Sequence, residues 1–236
     1  MQLERILHAQ GFGTRKECRA LARAGLVRIN GETVEDPFAD FATPGLILEV
    51  DGEVWPFREK AYLMLHKPVD VECSHKPQFH PSVFALLPPP LVTRGVQSVG
   101  RLDHDTTGLL LLSDDGQFIH TWSSGKKRIP KVYEVTTKHP VDQALVDQLL
   151  QGVQLHDEHA PIAAAACQQT GEHNLLLTVT EGKYHQVKRM VAAAGNRVEV
   201  LHRCQVGGLT LPADLAVGDW CWLEADDLTR LADFQA

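Results

Sequence analysis

The sequence predicts an α+β protein in which a small module of two helices and a hairpin precedes a mixed, mainly antiparallel sheet with flanking helices. Two observations support this fold class. Two short helical patterns precede a hairpin signal near the amino terminus, and beyond them strand-length apolar runs outnumber helical patterns and are mostly joined by short loops. A boundary near Arg58-Glu59-Lys60 would divide the chain into domains 1–58 and 59–236.

The first predicted module begins with a helix over residues 2–10, which carries Leu3, Ile6 and Leu7 on one face. Thr14-Arg15-Lys16-Glu17 is a capping box, so a second helix should begin there and run to Ala24. Gly25 then occupies the position of a carboxyl-terminal glycine cap. Hairpin turns follow at Asn30-Gly31 and Asp51-Gly52.

The second predicted domain alternates short strands and helices. A strand over 61–66 precedes a Pro-rich stretch, 75–90, that should be a loop. The apolar run Leu109 to Leu112 predicts a buried strand. Further strands are predicted over 131–136, 174–180 and 197–205, and helices over 142–150, 184–194 and 225–234.

Composition narrows the class of protein. The 236 residues are 44% hydrophobic and 22% charged, as in an ordinary globular protein. Five scattered cysteines without a C-x-x-C pair argue against a disulfide framework or a structural zinc site and suit a reducing compartment. Neither a signal peptide nor an apolar run of membrane-spanning length is apparent, so we expect a cytoplasmic protein without a membrane partner.

Basic residues cluster although the formal net charge is −7. Because electrostatic attraction acts over about one Debye length, a local basic face can bind RNA on an acidic protein. The alternative interpretation is ordinary solvated surface charge. The clusters comprise Arg15, Lys16, Arg19, Arg23 and Arg28, then Lys126, Lys127, Arg128 and Lys131, then Lys183, Lys188, Arg189, Arg197 and Arg203.

The segment Gly100-Arg101-Leu102-Asp103-His104-Asp105-Thr106-Thr107-Gly108 places a carboxylate, Asp103, in a glycine-bounded loop before the buried strand. Such loops commonly carry catalytic groups. A plain structural turn is one alternative. A calcium loop is another, but its twelfth position would be Asp114 rather than a bidentate Glu, and its ninth the apolar Leu111.

Residues 1–58 resemble the S4-type RNA-binding module. The resemblance rests on the capping box, the Ala24-Gly25-Leu26-Val27-Arg28-Ile29-Asn30-Gly31 segment and the basic face of the second helix. It implies that this helix and hairpin lie against an RNA backbone. The implied contact residues are Arg15, Lys16, Arg19, Arg23 and Arg28.

Nearly the whole chain resembles a pseudouridine synthase of the Rsu-type ribosomal RNA family. Beside the Asp103 loop, the matching motifs are His66-Lys67-Pro68, Ser113-Asp114-Asp115-Gly116, Lys131-x-Tyr133, Glu181-Gly182-Lys183-Tyr184-His185-Gln186-Val187-Lys188-Arg189-Met190 and Val206-Gly207-Gly208-Leu209. The resemblance implies a pseudouridine-synthase-like catalytic domain after the S4-like module. It also implies a reaction that needs neither metal nor cofactor.

The resemblance implies three catalytic residues. Asp103 would be the catalytic aspartate, Lys188 its cationic partner, and Tyr133 the ring that stacks on the target base. Arg189 would meet phosphate or Asp114/Asp115, and it is the alternative partner of Asp103 should Lys188 face solvent. Further RNA contacts are implied for Arg101, Lys131 and Arg189.

The implied substrate is a uridine in 16S rRNA, uridine 516 in the family's usual numbering, bound as free RNA or within a small-subunit assembly particle. Three alternatives remain open. They are a synthase acting on 23S rRNA, a noncatalytic S4-domain RNA-binding protein, and an unrelated carboxylate enzyme using Asp103 and Asp105. We expect a monomer.

Overall fold

The computed structural model describes residues 1–234, which pack into two compact units. The first unit comprises Met1–Ala61 together with Leu87–Gln97, and the second comprises Tyr62–Leu86 and the chain from Ser98 onward. The segment Leu87–Gln97 therefore packs with the first unit although it lies beyond the predicted boundary. The division into domains 1–58 and 59–236 stays a prediction.

The first unit combines three helices with a four-stranded antiparallel sheet in the order β2-β1-β3-β4, counted over the described residues. Leu3, Ile6 and Leu7 are fully buried, as their spacing on one helix face predicted. The elements are α1 (Leu3–Gln10), α2 (Arg15–Arg23), β1 (Val27–Ile29), β2 (Glu32–Thr33), β3 (Ile47–Val50), β4 (Glu53–Pro56) and α3 (Pro89–Thr93).

Local signals set the ends of these elements. The Thr14 hydroxyl accepts a hydrogen bond from the Glu17 N–H, and the Glu17 carboxylate accepts one from the Thr14 N–H at 2.7 Å, so the predicted capping box is confirmed. Asn30 and Gly31 both have positive φ, 52° and 84°, as a two-residue hairpin turn requires. The predicted hairpin is therefore confirmed as well.

The second unit is built on one mixed sheet. Along its main path the described strands run in the order β13-β5-β7-β11-β8-β10-β9, and β12 pairs with β11. The β7–β11 pair is parallel, whereas the other pairs on the path are antiparallel, which confirms the predicted mixed, mainly antiparallel α+β fold. The strands are β5 (Tyr62–Lys67), β6 (Gln97–Ser98), β7 (Thr106–Ser113), β8 (Lys131–Thr137), β9 (Ala166–Gly171), β10 (Asn174–Val179), β11 (Val198–Val206), β12 (Leu209–Thr210) and β13 (Trp220–Trp222).

The helices of this unit are α4 (Gly116–Ser123), α5 (Gln143–Gln151), α6 (Gln186–Ala193) and α7 (Ala225–Ala232), and a 3₁₀ turn spans Val83–Leu86. The sequence did not predict α4, β9 or β13. The helix expected from residue 184 begins two residues later, because His185 has a left-handed backbone with φ 47°. None of the helices in the described chain is long and apolar enough to cross a bilayer.

The central strand β7 is buried on both faces. Leu109 and Leu111 pack with Met64 of β5 and Val206 of β11, and Leu110 and Leu112 are equally inaccessible. Such a continuous apolar run is typical of a strand covered on both sides. The start of β7 is thereby fixed, and with it the loop that carries Asp103.

Gly108 allows β7 and β11 to approach closely. It has φ +106°, and a Cβ atom at this position would lie 2.2 Å from the carbonyl oxygen of Arg203. Only glycine combines this backbone conformation with such a close approach. Gly108, the last residue of the Asp103 motif, is therefore required for the close pairing of β7 with β11.

Candidate active site

Asp103 lies in a tight turn immediately before β7. The Thr106 N–H donates to the Asp103 carbonyl oxygen at 3.1 Å, which closes the turn as the strand begins. The Asp103 side chain is 28% exposed, so it is shielded but still accessible. Such a half-buried carboxylate on a rigid strand end is suitably placed for chemistry.

Two basic side chains from the start of α6 face this carboxylate. Lys188 Nζ lies 3.0 Å from Asp103 Oδ2 and 2.5 Å from Asp105 Oδ1. His185 Nε2 lies 3.3 Å from Asp103 Oδ1. The contact between Lys188 and Asp103 that the family resemblance implied is present, and Asp105 shares the same ammonium.

The pKa shifts of Lys188 and Asp105 follow from this arrangement. Burial alone would lower the pKa of Lys188, but its hydrogen bonds to Asp105 and Asp103 outweigh burial and raise that pKa above its ordinary value. Burial raises the pKa of Asp105, but the hydrogen bond and the positive charge of Lys188 outweigh burial and lower that pKa below its ordinary value. Lys188 is therefore held as an ammonium between the two carboxylates.

The position between Asp103 and Asp105 is taken by this ammonium, and β7 follows the loop directly. A calcium loop would instead lead into a helix and would bring its carboxylates around a cation. The geometry thus favours an ion-paired loop over the calcium alternative.

The buried residue Lys67 holds the Asp103 loop through hydrogen bonds. Its side chain is fully buried at the end of β5, and Nζ donates to the carbonyl oxygens of Pro68, His104 and Thr106 at 2.8, 3.1 and 3.0 Å. Burial lowers the pKa of Lys67. This one side chain joins the end of β5 to the segment 104–106 that follows Asp103.

A solvent-open cleft extends from Asp103 across the sheet. Tyr133 and Lys131 of β8, together with Arg203 of β11, line it. Arg203 is buried and donates from Nε to the Leu109 carbonyl oxygen at 2.8 Å. The cleft therefore places an aromatic ring and two basic groups beside the carboxylate.

Lys131 is buried in the wall of this cleft rather than extended into solvent. Its Nζ donates to the Glu181 carbonyl oxygen at 3.2 Å. Burial, reinforced by the positive charge of Arg203, lowers the pKa of Lys131 to about 8. Its predicted contact with RNA would consequently be made inside the cleft.

The other two predicted residues of this unit, Arg101 and Arg189, differ in their relation to the cleft. Arg101 is exposed and lines it. Arg189 forms an ion pair with Asp157 and donates to the Tyr184 carbonyl oxygen at 3.1 Å. The predicted contact of Arg189 with Asp114 or Asp115 is therefore wrong, because α6 turns this side chain toward the loop at residue 157; its contact with phosphate stays a prediction.

The basic residues of the first unit differ in their availability. Arg15, Lys16 and Arg23 are exposed. Arg28 donates to the Gly31 carbonyl oxygen and contacts Glu49. Arg19 forms an ion pair with Glu4 and lies over the Phe38 ring. Their predicted RNA contacts are untested, but Arg19 already has protein partners.

Sequence reasoning assigned no role to Lys67, His185 or Arg203, and it did not pair Asp105 with Lys188. Lys67 and His185 lie within the quoted motifs, and Arg203 lies within a basic cluster. Their positions in the sequence therefore marked them as candidates but did not identify their partners. Their contacts join residues far apart in the chain, and no local pattern encodes such pairs.

Comparisons with known proteins agree with this geometry. The family model for RNA pseudouridylate synthase matches residues 61–193, and the S4 domain model matches residues 1–37. The chain is 37% identical to the ribosomal small subunit pseudouridine synthase A of Vibrio parahaemolyticus, over 97% of this chain and 98% of that protein. It is 38% identical to the protein of the same name from Yersinia pestis, over 98% of both chains.

A solved structure described as a pseudouridylate synthase superimposes with a TM-score of 0.70 at 33% sequence identity. The match covers 98% of this chain and 100% of that one. Together with the full-length relatives, it extends the likeness to both units. The chain accordingly belongs to the RNA pseudouridine synthase family, with an S4 domain at its amino terminus.

Proposed function

We propose that this enzyme converts one uridine of ribosomal RNA to pseudouridine, with Asp103 as the catalytic residue. The observation that carries the proposal is the position of Asp103, which contacts Lys188 at 3.0 Å and opens into a cleft lined by Tyr133. Asp103 is a half-buried carboxylate in the turn that leads into the central strand β7.

The reaction is an isomerisation, so its atoms balance within the substrate. The bond from N1 of uracil to C1′ of ribose breaks, the base turns, and a bond from C5 to C1′ forms. C5 loses its proton and N1 gains one, which leaves the composition unchanged. A carboxylate can act in this sequence as nucleophile or as base.

The neighbours of Asp103 have distinct parts in this proposal. Lys188 and His185 hold the carboxylate at the mouth of the cleft, and the Lys188 ammonium supplies positive charge beside it. Tyr133 offers a ring on which the uracil can stack, an interaction worth about 1–3 kcal/mol per base. Because the cleft is recessed, the target uridine must leave its stack to enter it.

Exposed aromatic rings beside the cleft favour RNA as the substrate. Phe79 is 87% exposed and Tyr184 is 70% exposed, and both line the wall that also includes Asp103. The Glu72 carboxylate accepts the N–H groups of Gln78, Phe79 and His80 at 2.8–3.0 Å, which holds the Phe79 loop in place. Rigid, exposed rings of this kind suit stacking on the bases that flank a flipped nucleotide.

The names of the relatives favour small-subunit RNA as the substrate of this chain. We propose 16S rRNA as the target, with uridine 516 as the site, bound as free RNA or within a small-subunit assembly particle. A cytoplasmic enzyme would meet that particle during ribosome assembly. A 23S rRNA target is the alternative.

Replacing Asp103 tests the catalytic assignment. Asp103→Asn keeps the size of the side chain but removes its charge, so RNA affinity should be retained and pseudouridine formation should fall to background. Asp105→Asn is the matched variant from the same turn and should retain measurable turnover, since the Asp103–Lys188 contact remains. Both would be assayed for RNA binding and for pseudouridine by chemical mapping. Wild-type turnover by Asp103→Asn would refute the assignment.

The target is tested separately by mapping pseudouridine in the 16S and 23S rRNA of cells with and without this gene. Loss of one modification in 16S rRNA, restored by the wild-type gene but not by the Asp103→Asn variant, is expected. Loss confined to 23S rRNA would favour the alternative substrate.

A further inference from the structure

We propose that Asp70, His80 and His104 form a binding site for a divalent transition metal ion of the zinc class. One potential ligand atom from each residue lies within 4.8 Å of the other two. Asp70 Oδ1 is 3.7 Å from His104 Nδ1 and 3.9 Å from His80 Nδ1. The three residues span 34 positions of the sequence, so no short sequence motif predicts the site.

These distances suit a shared ion better than direct hydrogen bonds. Both separations exceed the range in which an imidazole and a carboxylate are hydrogen-bonded. Zinc lies about 2.0–2.2 Å from nitrogen and oxygen ligands, so a tetrahedral ion brings its ligand atoms to within about 3.5 Å of one another. Small rotations of the three side chains would close the observed gaps onto one ion.

The backbone holds all three ligands in place. The Asp70 N–H donates to the His104 carbonyl oxygen at 2.8 Å, which joins the two segments that carry these residues. Lys67 donates to the same carbonyl oxygen and to that of Pro68, close to Asp70. On the third segment, the Glu72 carboxylate accepts the His80 N–H at 3.0 Å. A site whose backbone segments are already held together loses less conformational entropy on binding.

The side chains are also accessible to an incoming ion. The exposed fractions are 70% for Asp70, 48% for His104 and 29% for His80. The two imidazole rings are stacked, with centroids 4.3 Å apart and an interplanar angle of 11°. Because imidazole lone pairs lie in the ring plane, the rings must rotate out of this stack for their nitrogens to converge on one ion, and solvent can supply the remaining ligands.

The ligand set selects the class of metal. Two imidazoles and one carboxylate suit zinc, nickel or copper, whereas magnesium and calcium prefer oxygen ligands throughout. The site is distinct from the catalytic carboxylate, although His104 directly follows Asp103. A bound ion would lie in the wall of a second pocket, which His80, His104 and Asp103 line and which shares Asp103 with the cleft that contains Tyr133.

The proposal is tested by titrating chelator-treated, full-length protein with Zn²⁺ and measuring heat and bound metal, without RNA. The wild-type protein should bind one equivalent at this site. His80→Ala, His104→Ala and Asp70→Asn should each weaken this binding about 10-fold or more. Asp70→Asn is the most informative variant, because Asp70 has φ 57° and asparagine tolerates that conformation, so the fold is kept while the charge is removed.

The matched control is His139→Ala, which removes an exposed imidazole whose backbone, rather than its ring, is hydrogen-bonded to Asn196. It should bind Zn²⁺ as the wild type does. The site is refuted if the wild-type protein binds no Zn²⁺, or if any of the three ligand variants binds it with wild-type affinity. Because no turnover is measured, the result does not depend on the catalytic proposal.

Discussion

At the scale of single residues, the buried Lys67 shows how the Asp103 loop is held. Its ammonium donates to three carbonyl oxygens, and two of them belong to the segment 104–106 that follows Asp103. Charged hydrogen bonds of this kind contribute about 1.5–3 kcal/mol each when a partner is removed. The position of Asp103 therefore depends on a residue that does not touch it.

Lys67→Met should lower the free energy of unfolding by about 2–3 kcal/mol, because three carbonyl oxygens lose their donor while the side-chain volume is nearly kept. Urea denaturation measures this change. The exposed Lys60 provides a control, and Lys60→Met should shift the free energy by less than about 0.5 kcal/mol. Equal effects of the two substitutions would contradict the structural role of Lys67.

At the scale of elements, the parallel contact between β7 and β11 brings the functional segments together. The Asp103 turn begins β7, and α6 with Lys188 directly precedes β11 along the chain. The close approach of Gly108 to Arg203 fixes the spacing of the two strands. Their pairing thus positions the carboxylate and its lysine partner on one side of the sheet.

Gly108→Ala should destabilise the protein by about 1–3 kcal/mol or more, since the added methyl group would overlap the Arg203 carbonyl group and φ +106° disfavours alanine. Thermal and urea unfolding would measure the loss. Gly116→Ala is the comparison, because a methyl group added there, at the start of α4, would meet nothing within 4 Å and helix propensity favours alanine. A neutral Gly108→Ala would show that the strands can separate without cost.

The elements also show which features the sequence could predict. Thr14 and Glu17, or Asn30 and Gly31, act within a few residues of one another, so their patterns predicted the capping box and the hairpin. The contact between Lys188 and Asp103 spans 85 positions and was reached only through the family resemblance. Lys67 and His185 were visible in motifs but had no predicted partner, since strand order rather than spacing brings them to Asp103.

At the scale of the whole molecule, one buried lysine gives the stability a dependence on pH. The pKa of Lys131 is lowered to about 8 in the folded protein, whereas an unfolded lysine keeps its ordinary pKa near 10.5. Between these values the unfolded chain binds more protons than the folded chain. The contribution of Lys131 to the free energy of unfolding therefore rises with pH across that window.

The difference in unfolding free energy between wild-type protein and Lys131→Met should accordingly grow in favour of the wild type from about pH 8 to about pH 10. The slope should be at most about 1.4 kcal/mol per pH unit. Urea denaturation of both proteins across this range measures it. Parallel pH profiles for the two proteins would contradict the lowered pKa of Lys131 in the folded protein.

The order of the strands has a consequence for synthesis on the ribosome. β11 lies between β7 and β8 in the sheet, although it is made more than sixty residues after β8 begins. Until residue 206 has left the exit tunnel, both older strands lack their shared neighbour and expose unpaired edges, which are prone to aggregation. The central sheet of the second unit therefore cannot be completed until β11 has been synthesised. We expect chaperones to be most needed during that interval.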